Sequence, residues 1–223
     1  MELLIGNKNY STWSLRGWLM LKAWDIPFNE HQYVLDTDDF RAQLAKYPQA
    51  AGMVPLLIDN QDGDELLVWD SLAICEYINE QYLDGKGWPA NAAARARARS
   101  VAAEMHSGFN AIRNELPMNL RAQRKVELSA AAHQNIARIN QLWTELREQY
   151  KAQGPYLFGE FSIVDVMFAP VVFRFPSYGI TLQPLAEQYA QTLRSHPAMQ
   201  LWLELSKLET DIVEKDEAGE PVA

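Results

Sequence analysis

Val54-Pro55 and Asp70-Ser71 are the two pairs in this chain that most directly offer chemistry, and that chemistry is recognition of a peptide end. A proline at the mouth of a strand can form a cis bond that holds the preceding backbone out, so that Val54 can pair with a visiting peptide. The start of a helix at Ser71 offers free N–H groups and a field that favours a carboxylate, while Asp70 beside it can take an ammonium. Together the two pairs suit a zwitterionic peptide end. Each pair alone is an ordinary device, a strand-initiating proline or an N-cap; their placement on either side of one hairpin makes them a candidate site.

The apolar pattern sets the scaffold on which these residues stand. Residues 54–58 and 66–69 are short apolar runs around the turn-rich segment 59–64, which reads as a hairpin, and 70–74 continues at helical spacing. Upstream, 2–6 reads as a strand and a helix begins near Thr12 and stops at Asp25-Ile26-Pro27. A second strand over 28–35 and a short irregular helix over 36–46 complete the order βαβαββα. Residues 84–91 read as a linker. Beyond it Ala, Arg, Gln and Leu favour helix, over about 92–116, 121–153, 162–175, 183–194 and 197–208. The expectation is an α/β domain over 1–83, an all-helical domain over 92–208 and a charged tail over 209–223 that lacks an apolar face and is predicted to be mobile.

A net charge of −9 over 223 residues speaks against nucleic acid as a partner. No apolar run approaches the ~20 residues of a membrane span, and Met1-Glu2-Leu3-Leu4-Ile5 has no basic region or cleavage site, so no membrane partner and a cytoplasmic location are expected. The single cysteine, Cys75, excludes an internal disulfide and reads as an inert core residue. No grouping of His, Cys and carboxylates has metal-ligand spacing, so no metal is expected. Arg95, Arg97 and Arg99 fan around a helix as a solvated or subunit-facing surface.

Val54-Pro55 with Asp70-Ser71 after a hairpin resembles the glutathione-binding half of the cytosolic glutathione transferases, whose thioredoxin-like domain precedes an all-helical one. Ser162 and Asp165, a Ser-x-x-Asp capping box after Gly159, resemble the structural capping motif of that helical domain. The resemblance implies glutathione as cosubstrate and a homodimer. It also implies that Val54 pairs with the cysteinyl unit while Ser71 and Asp70 hold the γ-glutamyl end. A free thiol has a pKa near ~8.5, so the family uses a hydroxyl at the start of the first helix to favour the thiolate. Tyr10, Ser11, Thr12 and Ser14 are candidates. Tyr10-Ser11-Thr12-Trp13-Ser14-Leu15-Arg16 is similar to the serine-type transferases, the zeta class above all, whose motif Ser-Ser-Cys-x precedes an arginine-containing helix. Alignment puts the catalytic serine on Ser11, with Tyr10 as rival donor.

Trp13 stands where the zeta motif has its cysteine, which counts against the zeta-class maleylacetoacetate isomerase reaction and against disulfide chemistry. Met53 and Asp70 also depart from the family, in place of a polar or basic residue and of glutamate. For the electrophile, His106, Phe109 and Arg113 lie at helical spacing on the first long helix of the second domain. Arg174-Phe175 resembles a zeta-class pair, so that Arg174 either binds a substrate carboxylate or forms a salt bridge at the domain boundary. The implied function is conjugation of glutathione to a small electrophile. The alternatives are glutathione-dependent isomerisation of an unsaturated acid and a ligand-binding protein without turnover.

Overall fold

Alternation along one short strand separates two cores. The computed structural model describes residues 1–61 and 63–222 and opens with β1 (Glu2–Ile5), whose Leu3 and Ile5 face one side of a sheet and Leu4 the other. After it come α1 (Thr12–Lys22), β2 (Asn29–Gln32), α2 (Asp38–Leu44), β3 (Leu56–Gln61), β4 (Asp64–Val68) and α3 (Ser71–Tyr82). The sheet runs β2-β1-β3-β4, with β1 parallel to β2 and antiparallel to β3, and β3 antiparallel to β4. Leu3 and Ile5 meet residues of α1 and α3, whereas Leu4 meets Phe40 and Leu44 of α2. This is the βαβαββα order read from the sequence. The strand expected over 28–35 is confined to β2, and the Asp62 end of the hairpin lies outside the described residues.

The second part holds α4 (Ala92–Ser107), α5 (Asn110–Glu115), α6 (Ala130–Tyr150), α7 (Ile163–Ser177), α8 (Pro184–Arg194) and α9 (Pro197–Ser206). The single helix expected over 92–116 is two. Gly108 closes α4 with its N–H on the Glu104 carbonyl at 2.9 Å, and Phe109 adopts a left-handed φ of 59°, which cannot continue a right-handed helix. The helix expected from residue 121 starts instead at α6, because Ser129 caps it by accepting from Ala132 N–H at 3.1 Å. Residues 124–125 form the short strand β5 (Arg124–Lys125). The α7 helix is apolar nearly all round and correspondingly buried, packed against α1, α4 and α8 and against Trp143 of α6. Its start is held by Asp165, whose carboxylate accepts from Ser162 N–H at 2.9 Å, Ser162 Oγ at 3.0 Å and Leu157 N–H at 3.2 Å. Of the arginines of α4, Arg95 donates to the carbonyls of Pro89 and Ala90 in the linker.

The two parts share one core. Trp18 of α1 meets Trp202 of α9 edge-on with ring centroids 5.1 Å apart, and Arg16 donates through Nε to the Met167 carbonyl of α7 at 2.9 Å. Trp202 Nε1 in turn donates to the Lys8 carbonyl at 3.0 Å. Where the sequence predicts a mobile tail, the chain runs back over both parts. Glu209 accepts from the N–H groups of Lys8 and Asn9 at 2.6 and 2.9 Å, and Lys215 pairs with Asp36 at 2.7 Å. Glu217 accepts from Tyr10 Oη at 2.5 Å and Asn119 Nδ2 at 2.9 Å and pairs with Arg124, before β6 (Glu220–Pro221) pairs with β5. These anchors are polar and distant in sequence, so no apolar periodicity announces them. No described helix is long and apolar enough to cross a membrane.

Candidate active site

The first turn of α1 is tied to the end of β1 by hydroxyls. Ser11 is the N-cap, accepting from Ser14 N–H at 3.3 Å, and its Oγ lies 2.7 Å from Ser14 Oγ. Ser14 Oγ accepts from Gly6 N–H at 3.0 Å. Ser11 is therefore held at a positive helix end, with a hydroxyl neighbour that can take over or supply its proton. Alongside it the Val54-Pro55 bond is cis, the isomer left open by the sequence. Gly17 of α1 makes room for Pro55, since a Cβ on it would lie 3.0 Å from the proline ring. The Val54 backbone makes no backbone hydrogen bond to a described residue.

The start of α3 supplies the second pair. The Trp69-Asp70 bond is also cis, and Asp70 Oδ1 caps the helix by accepting from Leu72 N–H at 2.9 Å. Its Oδ2 lies 3.0 Å from His106 Nε2 of α4. Ser71 is only 1 % exposed, and its Oγ has no hydrogen-bond partner among the described residues. A buried hydroxyl without a partner is uncommon, and here it sits where a helix N-terminus already favours an anion.

A cleft of about 400 Å³ brings Tyr10, Ser11, Trp13 and Val54 from the first part together with Arg113 and Arg174 from the second. The Tyr10 hydroxyl donates to Glu217 and accepts from Arg121 Nη2 at 3.1 Å, so it is committed to the tail. Arg174 is 3 % exposed, and neither its Nε nor its Nη1 has a partner among the described residues. It forms no ion pair with a described residue, so the salt bridge offered as an alternative is not made. Burial, and secondly the neighbouring Arg113, push its pKa down to about 9, which leaves it a cation at neutral pH.

Two of the expected pocket residues, His106 and Phe109, are absent from the lining of this cleft. Phe109 is buried in the core, and His106 stands between Asp70 and Trp13, edge-on to the indole at 5.5 Å. Arg113 lines the cleft, but its guanidinium turns to the carbonyl of Gly108 at 2.9 Å and to that of Met105, closing the end of α4. It also stacks on Trp13, 4.9 Å from the ring centroid, and Arg16 stacks on the same ring at 4.6 Å. Residues that sequence reasoning did not assign to the site are Lys215 and Asp216, which the tail carries into the cleft lining, and Arg16 behind Trp13. Arg16 is fully buried with Nη1 and Nη2 unpartnered among the described residues, and burial holds its pKa well down. Its place in the motif Tyr10 to Arg16 was the one available signal; the tail offered none. Cys75 is buried and burial raises its thiol pKa, so it supplies no thiolate. No group of three metal-ligating side chains occurs among the described residues.

Comparison with known proteins adds the family. "Glutathione S-transferase, N-terminal domain" matches residues 10–81 and "Glutathione S-transferase, C-terminal domain" matches residues 126–204. Glutathione S-transferase GstB of Escherichia coli (strain K12) is 26 % identical over 205 residues, covering 88 % of this chain and 95 % of that protein. A bacterial maleyl pyruvate isomerase, described as a glutathione S-transferase in the zeta class, superposes with a TM-score of 0.69 at 21 % identity over 95 % of this chain and 100 % of that one. A Burkholderia glutathione transferase homologue with bound glutathione gives a TM-score of 0.68 at 21 % identity, covering 92 % of this chain and 97 % of that one.

Proposed function

The chain belongs to the glutathione S-transferase family, both of whose domains it carries in order, and from that membership we propose that it activates glutathione at Ser11 and joins it to a small electrophile held against the helical domain. The observation that supports this most is one cleft whose lining joins Ser11 and Val54 of the first part to Arg174 of the second. Glutathione supplies the nucleophile, a thiolate sulfur that displaces a leaving group or adds to an activated double bond.

The chain's own residues do the rest. Val54 offers a free backbone N–H and C=O to the cysteinyl unit, the extended pairing that a strand edge provides. The Ser71 hydroxyl, without a partner among the described residues, and the α3 N-terminus receive the γ-glutamyl carboxylate, and Asp70 Oδ2 takes the ammonium while His106 steadies it from across the domain boundary. The thiol proton departs to solvent, and Ser11 keeps its own proton while turning its Oγ–H from Ser14 Oγ to donate a hydrogen bond to the thiolate sulfur. Arg174, a buried cation without a counter-ion among the described residues, favours an electrophile that carries a carboxylate.

The test is calorimetric titration with glutathione. Relative to the wild-type chain, Asp70→Ala with Ser71→Ala is expected to weaken binding by about a hundredfold, the loss of two hydrogen bonds to charged groups. Because Asp70 also caps α3, Ser71→Ala is titrated alone as the variant that leaves the cap in place. Absence of binding by the wild-type chain turns the reading to another thiol or to a ligand-binding role without turnover.

Arg174, without a partner among the described residues, equally favours a second reading, isomerisation of an unsaturated acid. Retained conjugation without cis-to-trans conversion of such an acid removes it. We further propose a homodimer formed on the sheet edge at β4, where Leu66 is 37 % exposed, together with the exposed Trp69 just after β4 and Met53 in the loop before β3, at 38 % and 52 %. Light scattering should then return about twice the 25.4 kDa of the chain, and the single-chain mass rejects it.

A further inference from the structure

The tail is fastened on both sides of the cleft and carries a charge into it. Lys215 bonds to Asp36 in the loop after β2, while Glu217 holds Arg124, Asn119 and Tyr10, and β6 lies on β5. Between these fastenings Lys215 and Asp216 join the cleft lining that contains Arg174. Lys215 is already paired. The Asp216 carboxylate has no ion pair or side-chain hydrogen bond to a described residue, and its desolvation raises its pKa, against the pull of Lys215 and Arg174. One cleft thus holds a buried guanidinium and a partly buried carboxylate, neither closed into a pair with a described residue.

Such groups are costly to keep apart from solvent unless a ligand satisfies them. An anionic substituent entering the cleft gains Arg174 but meets Asp216, and a neutral one meets neither demand. We propose that Asp216 is a specificity-determining residue: brought in by the tail, its carboxylate opposes anionic substituents at the electrophile end and, set against Arg174, fixes the preference between anionic and neutral electrophiles. The lever is the covalent path from the anchored tail to the cleft. Substitutions that loosen the fastening at Glu217 therefore act on selectivity at a distance from the reacting atoms. This inference rests on the glutathione-conjugation reading of the cleft.

The test uses two S-substituted glutathiones, S-(1,2-dicarboxyethyl)glutathione and S-butylglutathione, so that the common glutathione part cancels in the ratio of their dissociation constants. Asp216→Asn is expected to shift that ratio toward the dicarboxylate by about tenfold. Glu217→Gln, which keeps Asp216 but weakens its fastening, should shift it the same way by less and speed amide hydrogen exchange over residues 211–222; this variant decides the matter if the first does not fold. An unchanged ratio, or a shift toward the butyl compound, with both conjugates still bound, overturns the role of Asp216 and leaves the glutathione reading standing. Failure of the wild-type chain to bind either conjugate overturns that reading, and the inference with it.

Discussion

Ser11→Ala is expected to lower kcat/KM for glutathione conjugation by about 10²- to 10³-fold, the usual loss when one preorganised donor to a developing or resting anion is removed. The bound thiol should titrate about two units higher, back toward the ~8.5 of a free thiol, and the thiolate's ultraviolet absorbance reads this directly. That second readout matters because Ser11 also caps α1, and loss of a cap costs about 1 kcal/mol of stability whatever the chemistry. A purely structural serine would lower the melting temperature by a few degrees and leave the thiol titration where it was. Tyr10→Phe is the matched control. Its hydroxyl is spent on Glu217 and Arg121, so conjugation should stay within about threefold while the tail loosens. Full activity in Ser11→Ala rejects Ser11 as donor, and a large loss in Tyr10→Phe would move the role to Tyr10.

The largest effect on stability is expected at Asp165. Asp165→Ala leaves the N–H groups of Leu157 and Ser162 and the Ser162 hydroxyl without an acceptor in a site closed to water. Unsatisfied buried donors cost about 1 to 3 kcal/mol each, and removal of a desolvated carboxylate offsets part of this, for a net loss of about 3 to 5 kcal/mol. For a chain of this size that is a fall in melting temperature of about 10 °C. A fall of less than about 3 °C would show that the box does not anchor α7. The pH dependence has a definite sign. Burial raises the Asp165 pKa to about 6, above its ordinary value of 3.8, so the native chain holds this proton more tightly than the unfolded one. Its contribution is fully present below about pH 4 and is lost as pH rises through about 6. Asp165→Asn, which keeps an acceptor but cannot ionise, should flatten that part of the stability profile relative to the wild-type chain.

Legibility in the sequence tracked the range of the interactions. Asp70 and Ser162-Asp165 were visible because a cap is written within four residues, and the hairpin because its strands alternate or run apolar on either side of a turn. The end of α4 carried one local mark, Gly108, but Phe109 takes a left-handed conformation in which a bulky residue is uncommon and which no local pattern marks. Phe109, at that break, lies buried in the core. The folding of the tail was hidden for a different reason. Glu217 reaches Tyr10 across a separation of 207 residues, and Glu209 reaches Lys8 across 201, by polar bonds that leave composition and periodicity unchanged. Arg16 stood in plain view within the first-helix motif. Its burial behind Trp13, with two nitrogens unpartnered among the described residues, depends on α7 and the rest of the second part, which no local pattern encodes.

The contact of Trp18 with Trp202 and the bond from Arg16 to the Met167 carbonyl bear on how this protein can be exchanged by recombination. A crossover in the segment before α4 looks harmless in sequence, since it cuts only turn-forming residues. It would nonetheless give α1 a foreign neighbour, with an indole to be matched and a guanidinium to be met by a carbonyl at the right depth. A chimera that takes its second half from a relative must inherit both counterparts, so the heritable module is the joined pair of domains, and viable mosaics should arise by swapping loops and tails around that joint.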